Sequence, residues 1–261
     1  LQPLTEHGAE DAIAYDGDTL LAALAPVVLA ASTDKSRPLL AGVHLANEAD
    51  GLRFVATDSY RLATRSLSLS ADRPDVTVPA DVLRLLADVH QPGDDIELAT
   101  TTRAARFDTG NTVIQCQLIE GKYPDWRNLL NHNRATPTGW LTVDDPDDLA
   151  AAVLRSGRLF GGDLGLVTIT FHPDGIDVEA SAADSGTGTE TVPGRWTGPD
   201  EFAVTYNSRF LAEGLRSFTG PVVATVLDEL KPTTMRAADG DDPAAVTSDD
   251  LYLLMPVARN R

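Results

Sequence analysis

Two acidic runs, Asp144-Asp145-Pro146-Asp147-Asp148 and Asp239-Gly240-Asp241-Asp242-Pro243, are the stretches that most invite a metal reading. A calcium loop needs a later Glu to supply two of its oxygens, and none follows the second run. The first run is better read as the start of a helix, where the macrodipole favours carboxylates. The histidines (His7, His44, His90, His132 and His172) are scattered, with no i, i+4 pair and no H-E-x-x-H. Cys116 is the single cysteine, which excludes an intrachain disulfide framework and a Cys-based zinc site. Gly161-Gly162-Asp163 and Ser185-Gly186-Thr187-Gly188 read as loop text. Neither belongs to a G-x-x-x-x-G-K-[ST] motif, and Gly188 opens no helix whose N-terminus could receive an anion. Paired carboxylates for acid–base work lack a third partner. The requirements of an active site go unmet, so the chain is expected not to be an enzyme, with no catalytic residue, no metal and no cofactor.

Composition narrows the class further. The chain has 261 residues, 43% hydrophobic and 23% charged, which is globular text long enough for two ordinary domains. Asp+Glu number 39 against 21 Lys+Arg, for a net charge of −18. Such a surface repels nucleic acid and anionic membrane at long range, and argues against a broad, non-specific nucleic-acid coat. Any DNA contact must be local, on one basic face. The longest apolar run, Leu20 to Ala31, is too short to span a bilayer, carries Pro26 and follows no basic segment. A cytoplasmic protein without membrane contact is expected. Leu1 in place of Met leaves room for upstream residues.

The elements that would position a site come in two rounds. Residues 1–16 read as a linker. A helix is expected over Leu20–Ala31, capped by Asp18 or Thr19. Strands follow at Leu39–Leu45, Leu52–Thr57, Arg61–Leu69 and Asp75–Val78, then a helix at Ala80–Val89 behind Pro79, then strands at 95–99, 104–108 and 112–118. Residues 121–138, rich in Pro and Asn, read as a connector. The order then repeats: a strand at 141–143, a helix at 144–159, strands at 166–171, 176–180 and 202–205, a helix capped by Asn207 and running to Phe218, and closing strands at 221–227, 233–237 and 250–255. The turn glycines Gly51 and Gly175 are 124 residues apart, and the matching helix positions Val82 and Arg209 are 127 apart. A near-constant offset indicates internal duplication. The fold class is therefore α+β: two domains, 17–120 and 139–261, each an antiparallel sheet backed by two helices.

Four stretches carry more specific text: Arg37-Pro38-Leu39-Leu40-Ala41-Gly42, Val55-Ala56-Thr57-Asp58-Ser59-Tyr60-Arg61-Leu62-Ala63, Gly121-Lys122-Tyr123-Pro124-Asp125 and Met255-Pro256. In these, and in their order and spacing, the chain resembles the bacterial sliding clamp family, the beta subunit of DNA polymerase III. The resemblance runs from about Asp16 to Val257. It implies two tandem clamp-type domains, matching the family's second and third, without the first. A ring of six such domains would then need three copies of this chain, a homotrimer.

The resemblance also implies a hydrophobic pocket between those two domains that takes short peptide motifs of polymerases and repair proteins. The matching positions are Arg37, Thr57, Ser59, Tyr60, Arg61 and Leu62, then Pro124, Asn128 and Leu129, then Leu253, Met255, Pro256 and Val257. Leu62, Leu129, Met255 and Val257 would form its apolar wall, with Met adaptable to several ligands, and Arg61 would fix the peptide's polar edge. Asn128 and Ala258 stand where the family has arginine. The family turns its helices to double-stranded DNA, which points to Arg84, Arg155, Arg158, Arg209 and Arg216 as DNA-facing. Those helices hold five basic residues against seven acidic ones, a poor electrostatic funnel. Two functions are expected as alternatives. One is a non-enzymatic clamp that tethers a polymerase or other partner to DNA. The other is a clamp-like module of a DNA-binding transcriptional regulator, with a DNA-binding head upstream of Leu1, that no longer encircles DNA.

Overall fold

The computed structural model describes residues 12–49, 51–68, 74–132, 136–159, 165–173, 175–182, 186–240, 242–245, 248 and 250–258. Residues 1–11 of the expected linker, the turn residues Asp50 and Asp174, Gly161-Gly162-Asp163, Ser185 and Asp241 lie outside the described residues. The chain divides into two compact units, Leu1–Trp126 and Arg127–Arg261.

The first unit runs β1 (Ile13–Asp16), α1 (Gly17–Ala30), a 3₁₀ turn (Pro38–Ala41), β2 (Gly42–Glu48), β3 (Gly51–Thr57), β4 (Arg61–Leu67), β5 (Val76–Pro79), α2 (Ala80–Val89), β6 (Asp95–Thr100), β7 (Ala104–Asp108) and β8 (Val113–Gln117). Its strands form two antiparallel arrays, β1-β6-β7-β8 and β4-β3-β2-β5. Along β7 burial alternates with period two, so Ala105 and Phe107 face inward while Arg106 does not. Phe107 stands opposite Leu98 on β6 and Ile114 on β8. Helix α1 packs on β3 and β4 and also touches β1 and β6, so its apolar residues Leu20, Leu24 and Val27 are shared by both arrays.

A short helix, α3 (Trp126–His132), follows. The second unit runs β9 (Gly139–Val143), α4 (Pro146–Leu159), β10 (Leu166–His172), β11 (Gly175–Ala182), β12 (Gly186–Val192), β13 (Arg195–Trp196), β14 (Phe202–Asn207), α5 (Ser208–Leu215), β15 (Val222–Val226), β16 (Thr233–Ala237) and β17 (Leu251–Leu254). The arrays are β12-β11-β10-β14 and β9-β15-β16-β17, with β13 added on the outer edge of β9. Replacing β1 by β9, β2–β5 by β10, β11, β12 and β14, and β6–β8 by β15–β17 turns one unit's strand order into the other's. The duplication read from the spacing of two landmarks is thus a duplication of topology.

Helices α4 and α5 approach closely, which small residues permit. A Cβ on Gly157 of α4 would lie 2.3 Å from Ser208 Oγ at the start of α5, and one on Gly214 of α5 would lie 2.6 Å from the Tyr252 ring of β17, which α5 also packs on.

Several local expectations shift. Ile13–Asp16, read as linker, is strand β1, paired with β6 from Ile13↔Leu98 to Asp16↔Asp95. Helix α1 begins one turn earlier than expected because Asp16, rather than Asp18 or Thr19, is its cap: Asp16 Oδ1 accepts from Thr19 N at 2.8 Å. Asp18 instead accepts from Gly93 N at 2.9 Å and lies 3.0 Å from His90 Nε2. Gly186–Gly188, read as loop, belongs to β12, which pairs with β11 from Ala182↔Gly186 to Ile176↔Val192. Glycine weakens a strand that must pack side chains, but an exposed edge strand is held mainly by its neighbour's ladder. The connector contains α3.

One ionic strap ties the second unit's sheet. His172 Nδ1 lies 3.2 Å from Asp200 Oδ1, and His172 Nε2 lies 3.2 Å from Asp177 Oδ2. Only the doubly protonated ring donates to both. The hydrogen bond to Asp200, followed by that to Asp177, raises the imidazole above its ordinary 6.5. The unfolded chain gives up this proton first, so the strap stabilises fully below pH 6.5 and is lost as pH rises through the higher folded value. The gap in thermal midpoint between the parent and His172→Gln should be widest below pH 6.5 and close as pH rises. A gap that widens with pH contradicts this.

Candidate functional site

Residues matched to the peptide pocket fall in both units. In the first, the turn joining β3 to β4 is fixed by almost every polar atom it owns. Asp58 Oδ1 accepts from Tyr60 N at 2.9 Å and Arg61 N at 3.0 Å, while Oδ2 accepts from Arg61 Nε at 3.0 Å. Thr57 Oγ1 donates to the Arg61 carbonyl at 2.7 Å and accepts from Ser59 N at 3.2 Å. Ser59 sits at φ +81°, a conformation that costs a non-glycine residue energy and persists where its surroundings enforce it. Arg37 Nη1 donates to Ser59 Oγ at 3.0 Å, and Arg37 Nε reaches Asp34 Oδ2 at 3.2 Å. The hydrogen bond from Ser36, followed by that from Arg37, holds the Asp34 carboxyl below the usual range.

Within this unit the structure therefore brings together Arg37, Thr57, Ser59, Tyr60, Arg61 and Leu62. Their exposures differ sharply. Tyr60 is 60% exposed, whereas Thr57, Arg61 and Leu62 are buried. Arg61 does not offer its charge to a peptide edge. It is paired with Asp58, and its Nη2 donates to the Leu29 carbonyl at the end of α1 at 2.5 Å. Leu29 is itself 47% exposed. Pro124 is exposed, and its carbonyl accepts from Trp126 N at 2.8 Å. Beside it Tyr123 is buried, stacked on His44 at 4.7 Å, and burial raises its phenol well above the ordinary value.

In the second unit, Leu253 is buried in β17 opposite Thr234, and Met255, Pro256 and Val257 follow half-buried. Val257 N donates to the Thr205 carbonyl of β14 at 2.8 Å, so the run after β17 is held to the sheet array beside it. Asn128 and Leu129 are exposed on α3, Leu129 by 50%.

The five helix arginines expected to face DNA are mostly engaged. Arg84 bonds Asp81 at 2.6 Å and the Val28 carbonyl at 3.2 Å. Arg155 forms a two-point pair with Glu190, Arg209 lies 3.9 Å from Glu213, and Arg216 lies 3.2 Å from Asp147. Among the described residues only Arg158 of the five has no carboxylate partner. Exposed pairs of this kind add little stability, but each carboxylate cancels charge that would otherwise attract phosphate. Among the described residues no group of three or more His, Cys, Asp or Glu could hold a metal ion. No helix of the described residues is long and apolar enough to cross a membrane.

Sequence reasoning passed over Asp58, Asp34 and Leu29. Asp58 was recoverable: an Asp two and three residues before main-chain N–H groups at a hairpin tip is an Asx-turn signal. Leu29 was not, because its part in the site depends on which carbonyl Arg61 reaches.

Two copies of one β-α-β-β-β-β-α-β-β-β plan in tandem, with a Thr-Asp-x-x-Arg turn in the first, define a protein of the clamp class. Residues 15–125 match the family described as DNA polymerase III beta subunit, central domain. Over 263 residues the chain is 27% identical to the beta sliding clamp of Synechococcus elongatus, covering 95% of this chain and 66% of that protein. The crystal structure of the Bacillus subtilis DNA polymerase sliding clamp matches with a TM-score of 0.84 at 22% identity, covering 99% of this chain and 66% of that one. The Bartonella birtlesii sliding clamp bound to griselimycin matches with a TM-score of 0.81 at 23% identity, over 95% of this chain and 66% of that one. Residues 15–125 thus match the DNA polymerase III beta subunit central-domain family, and the chain as a whole is similar in sequence and fold to beta sliding clamps, spanning just under two thirds of the length of these relatives.

The turn's dependence on Asp58 is open to measurement. Asp58→Ala leaves the Arg61 guanidinium buried without its counter-ion and should lower stability by about 3–5 kcal/mol, read as a drop in urea midpoint. Asp58→Asn keeps an acceptor and should cost less. Tyr60→Ala should stay within about 0.5 kcal/mol. A neutral Asp58→Ala contradicts the reading.

Proposed function

We propose that the chain works as a sliding-clamp-type tether in the cytoplasm. It performs no chemistry of its own and keeps a DNA polymerase or repair protein on double-stranded DNA by docking a short peptide segment of that partner. The observation that carries this reading is the locked Thr57–Leu62 turn, which offers Tyr60 and the neighbouring Leu29 from a preformed backbone. An aromatic anchor already held in place loses little entropy on binding. Met255, Pro256 and Val257, half-buried after β17, match the family's pocket positions by resemblance, and Met adjusts to different ligands. A homotrimer would supply the six domains of a ring.

The test is fluorescence polarisation with a clamp-binding peptide, and with griselimycin, which the Bartonella clamp binds. Tyr60→Ala and Met255→Ala should each weaken binding about tenfold or more. Leu62, 1% exposed, is a poor probe, since its truncation reports on the core. No binding at micromolar concentrations by the unmutated chain overturns the proposal.

A second reading is favoured by one observation, the carboxylate pairing of Arg84, Arg155, Arg209 and Arg216. On this reading the chain is a clamp-like module, for instance of a transcriptional regulator, that docks proteins without gripping DNA. The logarithm of DNA affinity should then fall against log salt with a slope of about −1, where five free arginines would give about −4 to −5. Retention on circular but not linear DNA, with a solution mass near three times 27.8 kDa, supports the ring instead.

A further inference from the structure

The first unit also holds a concavity whose lining includes none of the Thr57–Leu62 residues. A cleft of about 270 Å³ opens where β5 meets the segment leaving β8. Its lining includes buried Val76 and Thr77 and half-buried His44, and its exposed rim carries Asp75, Arg103 and Glu120. The walls are fixed. Ile119 N donates to the Thr77 carbonyl at 2.9 Å and Leu118 N to the Arg103 carbonyl at 2.9 Å, which ties the segment to β5 and to the β6–β7 turn. The His44 ring is stacked on Tyr123 with its planes 7° apart, and its Nδ1 lies 3.3 Å from Thr77 Oγ1. Gly42 admits this packing, since a Cβ there would lie 2.6 Å from Thr77 Cγ2.

The charges on the rim are what set the cleft apart. Most described arginines of this acidic chain have a carboxylate within salt-bridge reach, as Arg37, Arg53, Arg61 and Arg106 do in the same unit. Arg103 has none among the described residues, although Glu120 and Asp75 line the same cleft. Glu120 likewise has no cationic partner among the described residues, whereas Asp75 is already used by Asn47 N at 2.9 Å. Opposite charges that share a cleft of this size without meeting leave one pole free for each sign. The volume is just below that of drug-sized sites, which limits the ligand to a few heavy atoms beyond its charged groups.

We propose that this cleft binds a compact zwitterion, a small molecule of the amino-acid or dipeptide class. Its carboxylate is held by Arg103, its ammonium group by Glu120, and its polar centre lies over Thr77 and His44. This site is independent of peptide docking at the Tyr60 turn and stands or falls separately.

Three probes of nearly equal size separate the possibilities: glycylglycine, glycylglycinamide, which lacks the carboxylate, and N-acetylglycylglycine, which lacks the ammonium. Binding is read as saturable amide shifts of residues 44, 77, 103 and 118–121 in ¹H–¹⁵N NMR of the whole chain. Glycylglycine should saturate these shifts in the millimolar range, with each capped probe about tenfold weaker or more. Arg103→Gln should weaken glycylglycine about tenfold and leave glycylglycinamide unchanged, and Glu120→Gln should spare N-acetylglycylglycine in the same way. Both side chains are exposed, so unchanged shifts elsewhere verify the fold of each variant. No saturation up to about 50 mM, equal affinity for a capped probe, or indifference to both substitutions overturns the proposal.

Discussion

Helix α1 ends with carbonyls that its own last turn satisfies only in part: Ala31 N reaches the Val28 carbonyl at 3.3 Å, the turn contains no basic residue, and no glycine follows to reverse the chain. Other groups that reach them come from elsewhere: Arg61 Nη2 from β4 takes the Leu29 carbonyl at 2.5 Å, and Arg84 Nη2 from α2 takes the Val28 carbonyl at 3.2 Å. Much of the first unit follows from the Arg61 contact. A buried guanidinium needs a counter-ion, and Asp58, three residues back, is the one within reach. Using both Asp58 oxygens this way closes the hairpin tip, with Ser59 at positive φ and Tyr60 60% exposed beside it.

The same economy of charge governs the surface. The chain has nearly two acidic residues for each basic one, and most of the helix arginines meet a carboxylate, on their own helix or across to another element. Arg84 finds Asp81 on its own helix, Arg155 finds Glu190 on β12, and Arg216 finds Asp147 on α4. Counting arginines along a helix therefore overstates the positive field it projects. The count of five basic against seven acidic helix residues gives only totals, and the pairing is what makes the cancellation local.

How much of this was legible in the sequence depended on whether a feature is set by neighbours in the chain or in space. Helix α2 was readable to the residue, because Pro79 and the apolar positions Val82, Leu83, Leu85, Leu86 and Val89 are local signals, although Leu85 is 48% exposed. So was the Asn207 cap of α5, whose Oδ1 accepts from Phe210 N at 3.0 Å. Strand β1 was not, because Ile13–Asp16 becomes a strand only by pairing with β6, some eighty residues on. Strand β12 was missed because its Gly-Thr-Gly text lacks the apolar alternation of a packed strand, and β11 supplies what holds it. At the candidate site, the motif spacing grouped Arg37 with the Thr57–Leu62 turn. The motif gave Arg61 the wrong task, since its partner carbonyl on Leu29 is 32 residues away.

The two units also show that one topology can pair its helices in different ways. In the second unit, Gly157 lets the backbones of α4 and α5 close in, with a would-be Cβ 2.3 Å from Ser208 Oγ. In the first, α2 has no glycine and the helices are joined by side chains, Arg84 to the Val28 carbonyl at one end and His90 to Asp18 at the other. Close backbone packing leaves arginines free to turn outward, whereas side-chain bridging consumes them. Yet in both units helix arginines end against carboxylates in exposed pairs, Arg84 with Asp81 in one and Arg155 and Arg216 with Glu190 and Asp147 in the other. Two different packing solutions that converge on the same neutralised helix surface indicate that the low positive field follows from the composition of this chain. On the tether reading proposed above, a partner would be held mainly through apolar contact and hydrogen bonds, because most of the helix arginines are paired with carboxylates.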